Sequence, residues 1–213
     1  MVLGALSYTG AMSKRIGFSR LILLCLILPQ WLAHAADVAV SASRQGDTFH
    51  VEASAELDAD ERLIWQVLTD YDRLPEFIPG LISSRVVARH NNSVVIDQKG
   101  ATRLLFFTFP IEVRLAAEEI PYKTITSHAV AGNFKEMRNA YHLEPGAERM
   151  RLRYTGSLTP DFSVPPLIGT LTVRRNVERQ FSAMVDEIVR RGKQHARPAP
   201  VDGQSRGERE HER

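Results

Sequence analysis

The residues able to do chemistry are few and scattered. The 213-residue chain holds seven histidines and one cysteine. It has no H-E-x-x-H, no G-x-S-x-G elbow and no phosphate-cradling glycine loop. No two histidines stand at metal-ligand spacing. His50, His90, His195 and His211 stand alone, and His128 and His142 are placed to face each other across neighbouring strands. All read as surface or strand histidines rather than ligands. Asp97 and the Glu118-Glu119 pair would serve acid–base roles only in a dry cavity. Their places at strand ends and on polar faces make them solvated charges. Arg149, Arg151 and Arg153 form a stripe on one strand face, with Glu112 and Glu144 as cross-strand partners. That leaves the phenols. Tyr71, Tyr141 and Tyr154 are the best candidates for polar contacts inside a pocket, because a buried phenol needs a partner. No catalytic residue, metal or cofactor is assigned.

Composition narrows the class. With 44% hydrophobic and 24% charged residues, the chain has the profile of a soluble globular domain with appendages. Residues 1–35 read as a signal peptide. Lys14, Arg15 and Arg20 make a basic start, Leu21 to Leu28 is an apolar run, and Ala33-His34-Ala35 has the small-x-small form of a cleavage site. Leu24 is too bulky to precede a lipidated Cys25. Cleavage would take three of the 27 basic residues, leaving 24 against 25 acidic and a net charge of −1. Such a chain has no field to attract nucleic acid. It also keeps neither disulfide nor thiol, so it must rest on its core alone.

Period and punctuation place the elements. Thr48 to Glu56 alternates as a first strand, and Asp58 or Asp60 can cap a short helix with Leu63, Ile64, Val67 and Leu68 on one face. In Asp70–Gly80, Pro75 and Pro79 forbid a long helix, while Leu74, Phe77 and Ile78 keep helical spacing for a turn or two. That stretch is a lid over the sheet or a helix-to-strand corner. From Leu81 to Leu158 the chain is strand and turn, with a hairpin at Asn91-Asn92, a break at Pro121 and a turn at Gly132-Asn133. Leu104 to Leu115 is the longest strand candidate, and Asn139 to Leu143 a short one. In Phe106-Phe107-Thr108-Phe109 one face must turn outward, either as a touch-point for a membrane or protein or beneath another element. Pro165-Pro166 opens an amphipathic helix carrying Leu171, Phe181, Met184 and Ile188, which Gly192 stops. Residues 193–213 read as a disordered polar tail, bounding a domain at 36–192.

The order of elements, the segment DYDRLPEFIPGLISSRVV at 70–87 and the terminal helix together resemble the START-like, Bet v 1-type helix-grip superfamily. Within it, the chain is most similar to the polyketide cyclase / coenzyme Q-binding family, over roughly Phe49 to Arg191. The resemblance implies an α+β fold, a curved antiparallel sheet of about seven strands around a long C-terminal helix, with two short helices after the first strand. It also implies a hydrophobic cavity for a lipid, quinone or polycyclic ligand. Tyr71, Phe77 and Ile78 would form its mouth or lid. Phe107, Phe109, Tyr141 and Tyr154 would line the sheet side, and Leu171, Phe181 and Met184 the helix side. The expected work is carriage of a hydrophobic small molecule or lipid in the periplasm. The alternatives are a cyclase or aromatase acting in the same cavity, and an adaptor docking through Phe106–Phe109. The oligomeric state is left open. If the leader is cleaved, N-terminal sequencing of the exported protein begins near Ala36; a membrane-bound form retaining Cys25 contradicts this.

Overall fold

Alternation of period two builds most of the molecule. The computed structural model describes residues 37–104, 107–162, 164 and 166–196, with side chains described at all of these except 103, 104, 107 and 166–168. The expected signal segment and the tail beyond 196 lie outside the described residues. β1 (Val38–Gln45) and β2 (Thr48–Leu57) form a hairpin, and β2 buries Phe49, Val51, Ala53, Ala55 and Leu57 at every second position. α1 (Glu61–Leu68) follows, its N-terminus capped by Asp60, whose Oδ1 accepts from the Leu63 amide at 2.7 Å. A 3₁₀ turn spans Tyr71–Glu76. Then come β3 (Leu81–His90), β4 (Ser93–Leu104), β5 (Phe107–Ile120), β6 (Thr124–Gly132), β7 (Phe134–Pro145) and β8 (Met150–Pro160), and finally α2 (Pro166–His195). All strands are antiparallel in one sheet of order β1-β2-β8-β7-β6-β5-β4-β3.

The helix-grip architecture is present, with eight strands rather than about seven. The additional strand is β1, whose inward positions Val38, Val40, Ala42 and Arg44 are only half buried. So small a stripe gives a weak sequence signal, and the two short helices follow the second strand instead of the first. The run Leu104–Leu115 is not one strand. β4 ends at Leu104, which pairs with Phe107 at the start of β5, so the apolar run is divided between two antiparallel strands. β7 is also longer than the Asn139–Leu143 core that its apolar pattern marks. His128 pairs with Arg138 and His142 with Thr124, so the two histidines do not oppose each other. Among the arginines, Arg153 pairs with Glu144 as expected, but Arg151 takes Glu56, and Glu112 takes Lys99.

α2 opens at Pro166 as its sequence predicts but passes through Gly192 to His195. A methyl group at Gly192 would stand 3.2 Å from Leu63 Cδ2. The glycine therefore serves a close approach to α1 rather than a C-cap. Phe181, Met184, Val185 and Ile188 face inward and join Ile64, Val67, Leu68 and Leu152 in the core. Among the described residues no helix is long and apolar enough to cross a membrane.

The Asp70–Gly80 segment is tied at nearly every residue. Asp72 accepts from the Val86 amide at 2.9 Å, and Arg73 forks onto Glu76 at 2.9–3.2 Å. Asp70 Oδ2 lies 2.8 Å from Arg191 Nη2, a close but poorly aligned ion pair, since that buried nitrogen makes no hydrogen bond among the described residues. The same guanidinium lies 5.7 Å from the Phe77 ring centroid. Pro79 O accepts from Gln180 Nε2 at 3.2 Å, and Gly80 O from the Ala101 amide at 2.8 Å. Gly80 sits at φ +83°, where a side chain would be strained. These bonds make the segment a fixed corner between α1, β3 and α2.

Glu187 completes the clasp. It is buried and accepts from Arg190 at 2.6 and 2.7 Å and from Arg191 at 2.7 Å. The hydrogen bonds from Arg190, reinforced by those from Arg191, outweigh burial and lower its pKa from 4.5 to about 2. A folded value below the unfolded one stabilises the fold above pH 4.5, and that stabilisation is lost as pH falls towards 2. E187Q should therefore be less stable than wild type at pH 7 by on the order of 2–3 kcal/mol, with the gap narrowing below pH 4.5 and closing only at about pH 2. Urea melts at the two pH values check this; a gap independent of pH contradicts it.

Candidate ligand cavity

The inward positions of five strands do not meet α2 across the whole sheet. Between them lies a cavity of about 310 Å³, at the lower end of the range for small-molecule sites. Its walls read down each strand at alternate residues. β4 gives Ile96, Gln98, Gly100 and Thr102, β5 gives Phe109 to Ala117, β6 gives Ile125 and Ser127, and β7 gives Met137, Asn139 and Tyr141. Tyr154 and Leu158 come from β8, and Val177, Gln180 and Met184 from α2. Tyr71, Leu74 and Ile78 close one end from the corner. The lining residues Gly80 and Lys99 are exposed and mark the mouth.

Three phenols reach this space, each in a different state. Tyr71 Oη donates to Glu119 Oε1 at 2.9 Å, and Glu119 Oε2 accepts from Arg89 at 3.0 Å. Burial, then the Glu119 charge, pushes the Tyr71 pKa up. Tyr154 Oη donates to Asn139 Oδ1 at 2.8 Å, and burial raises its pKa as well. A methyl at Gly156 would stand 2.6 Å from that Oη, so only glycine lets the ring fold down on its own strand. Tyr141 packs on Tyr154 with ring centroids 4.9 Å apart, and burial pushes its pKa up to about 12. Burial is the one cause of that shift, with no hydrogen bond to another side chain contributing.

The residues expected at the site divide. Tyr71, Ile78, Phe109, Tyr141, Tyr154 and Met184 all line the cavity. Phe109 stacks on Phe162 at 5.2 Å, so this part of the aromatic run turns inward under another ring. The side chain of Phe107 lies outside the described residues, as does Phe106. Leu171 is 46% exposed and does not line the cavity, because it falls on the solvent side of α2. Phe181 is buried in the core instead of at the cavity wall, and Phe77 lies under Arg191 instead of at the mouth.

Gln98, Ser127, Asn139 and Gln180 were missed as polar lining. Asn139 was legible, since it stands two residues before Tyr141 on the same strand face. Glu119 was read as solvated, yet it is buried. Its signal lay in phase: Val113, Leu115, Ala117 and Glu119 share one face of β5, opposite Glu112 and Arg114.

A curved antiparallel sheet closed by one long helix around an apolar cavity defines the helix-grip fold. The chain belongs to the polyketide cyclase / dehydrase and lipid transport family, whose model matches residues 57–185. Solved structures share the fold at low identity. The Zhui aromatase/cyclase from Streptomyces sp. R1128 superposes with a TM-score of 0.58 at 16% identity, over 72% of this chain and 98% of its own. The STAR-related lipid transfer protein from Xanthomonas axonopodis gives 0.57 at 14% identity, covering 74% and 95%. Human STARD10 gives 0.58 at 12%, covering 76% and 77%. No curated protein matches the sequence.

Val177 lines the cavity, whereas Leu171 on the same helix faces out. V177W should abolish uptake of the neutral dye N-phenylnaphthylamine while costing less than the ~1–3 kcal/mol of overpacking a filled core. L171W should leave both uptake and melting unchanged. Dye fluorescence and thermal melts of the two variants check this, and wild-type uptake in V177W contradicts it.

Proposed function

We propose that the protein binds and carries a hydrophobic small molecule or lipid in this cavity, as an exported carrier of the periplasm. The observation that carries the reading is the composition of the wall. Among the described residues it contains no carboxylate, histidine or cysteine, and its one formal charge, Lys99, sits at the rim 3.1 Å from Glu112. Apolar groups dominate the rest. Each ~100 Å² of apolar ligand surface taken from water contributes about 2.5 kcal/mol, less the cost of association. The sheet supplies that burial without chemistry.

The exported setting rests on the basic, apolar and small-residue pattern of residues 1–35. The family's transport members support carriage, and its cyclase members support the second reading. One observation favours that second reading. Tyr71 touches the cavity and bonds to Glu119, a relay able to hold a proton if the ligand is a reactive poly-keto chain. Burial and Glu119 both push the phenol's pKa up, which makes it a weak acid near neutral pH. We therefore place carriage first.

Native mass spectrometry of the purified full chain, with analysis of what co-purifies, separates the two. A carrier should hold one intact apolar molecule per chain and speed transfer of a fluorescent lipid between vesicles, and V177W should do neither. Recovery of a cyclised product from an added poly-keto substrate supports the enzyme. Absence of bound molecule and of transfer removes the carrier.

A further inference from the structure

The polar groups at the inner end of the cavity are unevenly matched. β7 places Asn139 and Tyr141 on one face, opposite Ser127 and Ile125 of β6 and Gly156 and Tyr154 of β8. Because Tyr154 Oη donates to Asn139 Oδ1, the amide is turned so that Nδ2 faces Ser127 Oγ. That contact is 3.5 Å long, the weakest in the group, and the amide has a second N–H besides. Tyr141, a lining residue, adds a hydroxyl proton for which no side-chain hydrogen bond is found among the described residues. Donors are thus in excess. The acceptors nearby are hydroxyl oxygens, and no carboxylate faces the space.

Charge narrows the match further. Lys99 is at the mouth, paired with Glu112, and no cation lines the inner end. The nearest buried ion is Glu119, behind Tyr71 and already held by Arg89. A carboxylate brought to the inner end would lose its water, gain no counter-charge and meet the field of Glu119. An ammonium group would meet only neutral acceptors and, among the described lining residues, no counter-charge.

We infer that the cavity selects an uncharged ligand whose inner end carries a carbonyl-type oxygen, bound by the Tyr141 hydroxyl with the Asn139 amide beside it. The inference rests on the carrier reading above and names the ligand class for the same cavity. A carbonyl oxygen accepts and does not donate, so it meets the excess donors; the apolar remainder of the ligand lies against Ile78, Val113 and Met184. Tyr141 becomes the residue that separates carbonyl ligands from equally apolar hydrocarbons and from ionised fatty acids.

The test uses three probes of one shape, fluorene, fluorenone and fluorenecarboxylate, titrated calorimetrically against the full chain and its Y141F variant. Wild type should prefer fluorenone to fluorene, and Y141F should weaken fluorenone by about 3- to 10-fold, the worth of one hydrogen bond. Fluorene should change by less than about 2-fold between the two proteins, since the substitution removes only an oxygen. Fluorenecarboxylate should bind at least about 10-fold more weakly than fluorene to both. Y141F without ligand should melt no lower than wild type, because the hydroxyl it removes makes no side-chain hydrogen bond among the described residues. Equal loss for fluorene and fluorenone, tight carboxylate binding, or a lower melting point in Y141F overturns the inference while the carrier reading stands. Failure of all three probes to bind wild type overturns both.

Discussion

A single helix is too narrow for the sheet it must close. Eight strands at about 4.8 Å spacing span ~38 Å, whereas a helix with its side chains is about 10–12 Å across. The sheet therefore curls, and α2 packs chiefly on β1, β2 and α1 at one side of it, with a smaller contact to β4 across the curl. The inner faces of β4 to β8 are left to meet one another, the corner and the remaining flank of the helix. Space persists there because the inward side chains are fixed in number by the strand period, and Gly100, Ser127 and Ala117 are small. The cavity is thus a consequence of the architecture, and its chemistry is a choice of side chains.

That architecture needs α2 held at both ends. At its start, Arg44 of β1 donates to Val164 O at 3.1 Å, and Gly169 allows Phe49 to approach so closely that a methyl group would stand 3.0 Å from the ring. Towards its end, Arg191 joins Asp70, Glu187 and the face of Phe77. The Glu187 bonds outweigh desolvation and stabilise as well as position, whereas the poorly aligned Asp70–Arg191 pair mainly positions the corner. The corner that they fix brings Tyr71, Leu74 and Ile78 to the end of the cavity. Asp70 and Phe77, which gave the segment its family likeness, and Asp72 between them are accordingly structural, whereas Tyr71, Leu74, Ile78 and Gly80 face ligand space.

Much of this was legible in the sequence, because alternation and proline–glycine punctuation survive folding unchanged. The strand run, the Asp60 cap, the hairpin at Asn91-Asn92 and the opening of α2 at Pro166 follow from local rules. β1 was not legible, since its short half-buried stripe looks like linker. Nor was the division of the run Leu104–Leu115 between β4 and β5, where strand pairing overrides an apolar run. For the site, residue type misled where phase would have guided. Glu119 is charged but in phase with apolar neighbours, and Leu171 is apolar but on the outer face of its helix. The coenzyme Q-binding branch rested on the corner motif, and a motif made of structural contacts carries the fold without naming the ligand.

A crystal structure of the protein soaked with fluorenone tests the central claim most directly. The account predicts ligand density enclosed by β4 to β8 and α2, touching Ile78, Val113 and Met184, with the carbonyl oxygen within hydrogen-bond distance of Tyr141 Oη. A packed interior in which Val177, Met184 and the β4–β5 residues fill that space, with no density there, would contradict it.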